Sequence, residues 1–587
     1  MTSFEISRVT FAPDAVATWA LLDPRNVNWP VVYVLDDAAA AEAMPGTKHL
    51  SDVYVGESLN AAARMRQHLA SSEKSRLTSA RFIVDDTFNK SVCLDLESYL
   101  IRMLAGDGTH RVLNRNDGIV EADYYDRERY RETFREVFDA LKDEGLFTRT
   151  IPEIENSDLF KLSPFKALTQ DQAAAVEDIL EGLFGDLGSG AGGGTIVIQG
   201  DPGTGKTVVA IYLLKLLRDI AESVPPEGLD SDSLFSDFFA EGFRELIIGK
   251  RIGLVVPQQS LRDSIKKVFR RTPGLHPEMV LTAFDVGFAE QDFDLLIVDE
   301  AHRLNQRANQ PSGVQNKNFR LVTEKLFGFD DKTKTQLDWI TAKSRHQILL
   351  VDAEQSVRPA DISRELLSAL ISQAKTERRH YPLFTQMRVK AGADYVGYIR
   401  RILGNVAGEI RPQPFEGYDL RFFDNVVEMR DAIHRCDAEV GLSRMLAGYA
   451  WNWKSKNDKS AFDIEEQGHW FRWNSVQTDW VASPNSLSEV GSIHTVQGYD
   501  LNYAGVIIGP DLRYDRAKGK LFIDRASYFD VKGKENNPTL GKIYTDDDLL
   551  RYISNIYAVL LTRGMLGTYV YVSDPELREY LRPFFCG

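Results

Sequence analysis

The spacing of apolar and polar positions divides the chain into regions of different rhythm. Over 124–145 the run "YYDRERYRETFREVFDALKDEG" carries Tyr130, Phe134, Val137, Phe138 and Leu141 at three- and four-residue intervals. That repeat puts apolar side chains on one face of a helix. Farther along come short unbroken apolar runs: "TIVIQG" (195–200), "RIGLVVP" (251–257), "DLLIVDE" (294–300), "HQILLVD" (346–352), "AGVIIGP" (504–510) and "GTYVYVS" (567–573). Runs this short, without polar alternation, predict strands covered on both faces, as in parallel sheets flanked by helices. Near the start, "VVYVLDD" (31–37) predicts a strand ending near Tyr33. It precedes "YVGESLNAAARMRQHL" (54–69), a strand leading into a helix.

Punctuation sets the boundaries. The polar, proline-bearing "FTRTIPEIENSDLFKLSPFK" (147–166) predicts a linker, and "RPQPFEGYDL" (411–420) a second break. A small domain with a closing helix is therefore expected over 1–146, one α/β lobe over 167–410 and another over 411–587. The acidic "SVPPEGLDSDSLFSDFFAEGF" (223–243) predicts a surface excursion or a helical cap.

Composition narrows the function classes. A chain of 587 residues is too long for one core, and 43% hydrophobic with 26% charged residues is globular. The net charge of −15 excludes a broadly basic nucleic-acid binder, so such a partner must be held by local patches. Residues 60–115 are one such patch, with nine Lys/Arg against six Asp/Glu, net +3. Cys93, Cys436 and Cys586 are scattered, which suits a reducing cytoplasm rather than a metal or disulfide framework. The N-terminus lacks the basic head and long apolar core of a signal peptide. No apolar run approaches the roughly 20 residues of a spanning helix. A cytoplasmic protein with no membrane partner is expected.

Chemistry enters at "GDPGTGKT" (200–207), which fits G-x-x-x-x-G-K-[ST] between a strand and a helix. Gly200, Asp201, Pro202, Gly203, Thr204 and Gly205 form a loop whose backbone N–H groups can wrap phosphates. Lys206 would pair with the β and γ oxygens, and the Thr207 hydroxyl would ligate Mg²⁺. In "LLIVDEAH" (295–302), Asp299 ends a buried strand and can hold Mg²⁺, while Glu300 can orient and deprotonate a water. ATP and Mg²⁺ are the cofactors these motifs call for.

From these motifs onward the chain resembles the superfamily 1 helicases and, among them, the DUF2075 group related to the Schlafen-type helicase domain. The resemblance covers about 165–587. It implies two RecA-like parallel-sheet P-loop lobes and assigns further roles. Gln172 in "ALTQDQAAAV" would read adenine, and Gln355 in "LLVDAEQSVRP" would couple the γ-phosphate to the strand-binding face. Arg388 in "LFTQMR" and Arg563 in "YAVLLTRGMLGTYVYV" would be arginines contributed to the phosphate from a second lobe, making hydrolysis depend on closure. "LVVPQQSLRDSIKKVF" would lie along the nucleic-acid track, and Gly498 and Asp500 in "IHTVQGYDLNYAGVIIGPDL" near the ribose. That family usually has glutamate where Asp500 stands. The chain has no room for the large inserted subdomains of processive unwinding relatives, so translocation or remodelling is expected rather than strong unwinding. Of the five tryptophans in 451–480, core packing is expected before base stacking. The basic segment 514–538 reads equally as a β-hairpin near the nucleic-acid groove or as a solvated loop.

The first domain, over about 29–120, resembles the GIY-YIG nuclease family. Tyr33 falls at the tyrosine of the first triplet and Tyr54–Gly56 form the second. Arg64 and His68 match the helix positions, ten and fourteen residues past Tyr54. Glu97 in "LDLESYLI" matches the metal-ligating glutamate, and Asn114 in "HRVLNRNDG" the asparagine near the domain end. The residue types suit phosphodiester hydrolysis. Mg²⁺ on Glu97 would act as Lewis acid, Arg64 would clamp the phosphate, and Tyr33, Tyr54 or His68 would hold or deprotonate the water. The first triplet lacks its glycine, reading Val31–Val32–Tyr33, and the segment "VLDDAAAAEAMPGTKHLSDV" between the tyrosines is longer than typical.

The expectation is an α/β chain: a small GIY-YIG-type α/β nuclease domain followed by two RecA-like P-loop lobes. It would cleave nucleic acid, DNA before RNA, and move on it with ATP. By family analogy it would serve defence against foreign DNA, alone, as a homo-oligomer or with a defence-system partner. The alternative is a nucleotide-gated switch whose P-loop lobes control the nuclease without translocation.

Overall fold

The computed structural model describes residues 4–37, 50–71, 74, 76–114, 123–190, 192–223, 235–240, 242–307, 310, 312–352, 358–387, 389, 393–404, 410–476, 480–496 and 499–585. Two compact units divide the chain. One comprises Met1–Ala173, Ile211–Ile248 and Ser264–Pro277; the other comprises Ala174–Ala210, Gly249–Asp263 and Glu278–Gly587.

In the first unit, β1 (Phe4–Thr10), β2 (Val31–Asp36), β3 (Ser51–Ser58), β4 (Ser79–Asp85) and β5 (His110–Val112) form a sheet in the order β1-β4-β2-β3-β5. The first four pair antiparallel and β5 joins β3 in parallel. Alternation along β2 feeds two cores. Val32 and Val34 pack with Val92, Leu96, Phe134 and Phe138 of the helices Lys90–Asp107 and Arg127–Asp143. Val31, Tyr33 and Leu35 pack with Val16 and Trp19 of Pro13–Ala20 and with Ala61 and Met65 of Ala61–Ala70. The helix Arg127–Asp143 buries the five residues that the spacing singled out. Strand β2 does not end near Tyr33: it runs on to Asp36, a buried carboxylate paired with Arg81 of β4. A charge can continue a buried strand when its partner lies on the neighbouring one.

The stretch 147–166 is folded into two short helices, Ile151–Glu155 and Asp158–Lys161. Ile154 and Phe165 enter the same core as Val32, and Pro152 stands in the first helical turn, where its missing N–H costs nothing. Of the acidic 223–243 stretch, 224–234 and 241 lie outside the described residues, and Ser236–Phe239 is a 3₁₀ turn burying Phe238 and Phe239. Most of the long segment between the tyrosines, 38–49, also lies outside them.

The second unit holds two parallel sheets. Strands β6 (Thr195–Gly200), β7 (Ile252–Val255), β8 (Val280–Leu281), β9 (Phe293–Val298), β10 (Ser344–Val351) and β11 (His380–Leu383) run in the order β11-β6-β10-β9-β7-β8. Then follow β12 (Asp419–Phe422), β13 (Ser443–Ala447), β14 (Ile464–Glu466), β15 (His469–Phe471), β16 (Val490–Ser492), β17 (Leu501–Ile508), β18 (Leu512–Asp515), β19 (Lys520–Ile523) and β20 (Gly564–Val572). Of these, β12-β20-β17-β13-β16 form the other parallel sheet, and β14–β15 and β18–β19 are separate hairpins. The basic segment therefore opens with a hairpin. Four of the five tryptophans serve burial: Trp473 and Trp480 are enclosed, Trp451 and Trp453 pack on the core, and only Trp470, 58% exposed, faces out. Mixed α/β architecture with parallel sheets accords with the RecA-like expectation. Among the described residues no helix is long and apolar enough to cross a membrane.

Candidate functional site

Parallel strands deliver their carboxyl ends to one edge of a sheet, where α/β proteins bind ligands. At that edge β6 ends in the loop Gly200–Gly205, β9 in Asp299 and β10 in Asp352. The loop needs its glycines: Gly203 and Gly205 have φ of 89° and 75°, left-handed angles that side chains resist. Lys206 is buried, its Nζ donating to Gly200 O at 2.8 Å and Asp201 O at 3.0 Å. An ammonium held by the loop's own carbonyls points into the cradle a triphosphate would fill. The Thr207 hydroxyl donates to Asp299 Oδ2 at 2.7 Å, so the two side chains expected to share a divalent cation already meet. The donor set fits ATP with a divalent cation: one hydroxyl, one carboxylate and a lysine.

The adjacent acids titrate apart. Asp299 is wholly buried, and burial, then the charge of Glu300, push its carboxyl up to about 6 against the pull of Thr207 and Lys206. Burial also works against Glu300, but His302, Lys206 and Arg303 outweigh it and hold that carboxyl below its usual range. Glu300 has φ of 50°, a left-handed angle for a residue with a side chain. The backbone N–H of Asp352 donates to His302 Nδ1 at 3.1 Å, so the ring carries its proton on Nε2. Nε2 lies 3.1 Å from Glu300 Oε2. Glu300 is thereby kept ionised with His302 against it, a condition for orienting a water.

The other residues expected around the nucleotide are placed unevenly. Gln172 is fully buried, its amide oxygen accepting from Thr169 N at 3.0 Å. Asp500 is half-buried just ahead of β17. Arg563 is buried, with Nε on Val559 O at 3.2 Å and Nη1 on Tyr499 O at 3.3 Å, so its guanidinium is engaged by carbonyls of its own sheet's surroundings. Gln355, Arg388 and Gly498 lie outside the described residues.

In the first unit, Tyr33 stands directly across from Gly56 in the β2–β3 pairing. A Cβ on Gly56 would come within 2.9 Å of Tyr33 Cε2, and closer still to the hydroxyl end. Only glycine lets the phenol cross the strand. Tyr33 Oη then meets His68 Nε2 at 2.8 Å, and Lys74 Nζ meets His68 Nδ1 at 2.8 Å while lying 3.6 Å from the Tyr54 ring centre. An ammonium only donates, so Nδ1 accepts from Lys74 and Nε2–H donates to Tyr33. Burial, then Lys74 and Arg64, push His68 down to about 3, so it is a hydrogen-bond relay and not a proton acceptor near neutrality. Burial, with Tyr54 and Glu97, raises Tyr33 well above its usual value, opposed by Arg64, which also hydrogen-bonds it. Arg64 Nη1 in addition donates to Gln67 at 3.0 Å.

Tyr33, Tyr54, Arg64, His68 and Glu97 thus share one electrostatic neighbourhood. Asn114 acts one step removed. Its amide accepts from Val55 N at 3.1 Å and donates to Val55 O at 2.8 Å, clamping the strand that carries Tyr54 and Gly56.

Three residues escaped the sequence reading. Lys74 follows the helix in a stretch without periodicity, and only the fold brings it to His68. Glu57 directly follows the second triplet; burial, then the charges of Glu57 and Glu97, push up the Cys93 thiol, so two carboxylates border that spot. His302 stood within the quoted "VDEAH" and its neighbourhood to Glu300 was the available signal.

Residues 194–574 match the family model described as Schlafen group 3, DNA/RNA helicase domain. The chain is also 27% identical over 417 residues to the uncharacterized protein YPL245W of Saccharomyces cerevisiae, covering 66% of this chain and 84% of that protein. A helicase-like P-loop domain of this kind implies nucleotide-dependent action on nucleic acid, by an ATPase that uses ATP with a divalent metal. On the extent of the match and the loop geometry together, this chain belongs to the family of the Schlafen group 3 DNA/RNA helicase domain.

Proposed function

We propose that this is an ATP-dependent nuclease–motor: a GIY-YIG-type domain hydrolyses phosphodiester bonds in nucleic acid, DNA before RNA, and the P-loop lobes use ATP to translocate on or remodel it. The observation that carries the nuclease half is the relay Lys74–His68–Tyr33, with Arg64 on the same hydroxyl and Glu97 within its electrostatic reach. A chain of that order, beside one arginine and one carboxylate, suits attack of water on a phosphodiester better than it suits packing.

The division of labour follows from the residues. Arg64 offers a planar fork to the scissile phosphate. Tyr33, receiving Nε2–H from His68, directs its own hydroxyl proton outward, where it can orient a water. Glu97 would hold Mg²⁺, which when bound supplies Lewis acidity. In the motor, Lys206 and Thr207 would hold the nucleotide with its metal, and Glu300 would orient the attacking water. A tethered motor raises the local concentration of cleavable phosphate around the nuclease. Defence against foreign DNA would use both activities.

The test incubates the pure chain with labelled single-stranded, duplex and circular DNA, and with RNA, each with and without ATP and Mg²⁺. Mg²⁺-dependent cleavage that Glu97→Ala removes, with ATP-dependent displacement of streptavidin from biotinylated DNA that Lys206→Ala removes, is the expected result. Cleavage gated by ATP without displacement would replace the motor by a switch. No cleavage in any arm would leave residues 29–120 as a binding module.

A further inference from the structure

The helix Ala393–Leu403 lies before the break expected at 411–420, yet its apolar face belongs to the core of the sheet β12-β20-β17-β13-β16, so the second lobe begins earlier in the chain than the prolines suggested. Tyr395, Tyr398, Ile399 and Ile402 are buried there, Tyr395 Oη donating to Leu561 O and Tyr398 Oη to Phe584 O, each at 2.9 Å. One residue of this helix reaches the other sheet's site. Arg400 Nη1 donates to Asp201 Oδ1 of the phosphate loop at 2.7 Å, and Nη2 lies 3.3 and 3.4 Å from the two carboxylate oxygens of Asp352. Asp352 is 2% exposed, and its backbone N–H is the group that fixes the His302 tautomer facing Glu300. The same edge of the loop is held from the segment after β11, Gln386 Nε2 donating to Pro202 O at 2.7 Å and Met387 N to Gly203 O at 2.9 Å.

We propose that Arg400 is a positioning residue that couples the second lobe to ATP turnover. The proposal rests on the ATPase reading. A guanidinium spanning two carboxylates is satisfied over a narrow range of positions, because its planar fork fixes where both acceptors must lie. Asp352 is buried, so withdrawal of Arg400 would take an ion-pair partner from a carboxylate in the interior, where the loss of one costs more than at the surface. Movement of the helix is thereby felt at the loop through Asp201 and at Glu300 through Asp352 and His302. This is a defined chain of contacts between the core of the second sheet and the carboxylate beside the phosphate loop.

The experiment measures ATP hydrolysis with and without single-stranded DNA for wild type, Arg400→Ala and Arg400→Lys, with Lys206→Ala as the control. Arg400→Ala should lose roughly 5- to 100-fold of the DNA stimulation of kcat. KM for ATP should stay within about threefold, since Lys206 and Thr207 still hold the nucleotide. Arg400→Lys, a point charge that faces one carboxylate at a time, should recover part of the stimulation and guards against a folding failure of the alanine variant. Full stimulation in either variant overturns the coupling, as does a parallel fall of basal and stimulated rates with a rise in KM, which marks a structural role. Absence of Lys206-dependent hydrolysis in the wild type overturns the ATPase reading itself, and the coupling with it.

Discussion

The phosphate-loop site and the tyrosine cluster reach order by opposite routes. At the loop, order is in the backbone: two left-handed glycines, a lysine held by the carbonyls of its own loop, and carboxylates at the ends of parallel strands. Adjacent acids are pushed apart in pKa, the pattern expected where one must hold a cation and the other must act on water. In the tyrosine cluster, order is in the side chains. They come from two strands, two helices and a loop, and they converge because Gly56 leaves room for Tyr33 to cross. There His68 is pushed down and Tyr33 up, each away from neutrality. A backbone-built site tolerates change around it, whereas a side-chain-built site fails when any one contributor moves.

The largest expected effect breaks the comparison at its firm end. Lys206→Ala should lower ATP hydrolysis by on the order of 10³-fold, since it removes the only cation described within the loop. ATP-independent cleavage should persist, and coupled assays of phosphate release and of DNA nicking read both. At the other end, Glu97→Ala should abolish cleavage while ATP hydrolysis stays at the wild-type rate. Arg64→Ala should cost about 10²–10³-fold in cleavage, with Arg64→Lys a partial rescue. Normal nicking by Glu97→Ala, with mere loss of DNA binding in Arg64→Ala, would reduce the first domain to a binding module.

What could be read in advance follows the same division. The phosphate loop and "VDEAH" are contiguous, so their chemistry is local and their strands announce themselves as apolar runs. Spacing singled out Tyr33, Tyr54, Arg64, His68 and Glu97, but not the relay, because Lys74 and His68 meet only after the helix Ala61–Ala70 is packed. Asn114 shows the same limit: spacing marked the residue, while its double hydrogen bond to Val55 is a fact of the fold. The stretch 147–166 misled by its prolines, since Pro152 occupies the one helical turn where it does no harm. Arg400 carried no motif, and two sheets had to be folded before it faced two acids.

A smaller effect sharpens the claim about side-chain construction. Gly56→Ala puts a methyl against the Tyr33 ring and should destabilise the first domain by about 1–3 kcal/mol. Cleavage should fall further than the loss of folded protein explains, because Tyr33 must leave His68. Gly182→Ala is the control: its Cβ would meet nothing within 4 Å, and alanine in a helix should be neutral or slightly stabilising. Thermal melts with cleavage assays decide it. Equal behaviour of the two variants would mean that Tyr33 can repack without Gly56.

The smallest expected effect tests whether the phosphate-loop site stores a cost of its own. Asp299 in the folded chain sits at about 6, above the 3.8 of a free aspartate, with burial the first cause and Glu300 the second. A raised carboxyl pKa means that its contribution to stability is whole below pH 4 and is lost as pH climbs through 6. At pH 8 and without metal, the folded chain then carries a buried carboxylate it would hold more easily protonated. Asp299→Asn, neutral at every pH and still able to accept from Thr207, should melt a few degrees above wild type at pH 8 in EDTA. The gap should shrink on acidification and vanish near pH 4. Mg²⁺ with a non-hydrolysable ATP analogue should reverse it, because the ionised carboxylate then gains a partner that asparagine cannot match. A gap independent of pH would mean that Thr207 and Lys206 already compensate the charge. In that case the loop site, like the tyrosine cluster, would be balanced by its side chains before any ligand arrives.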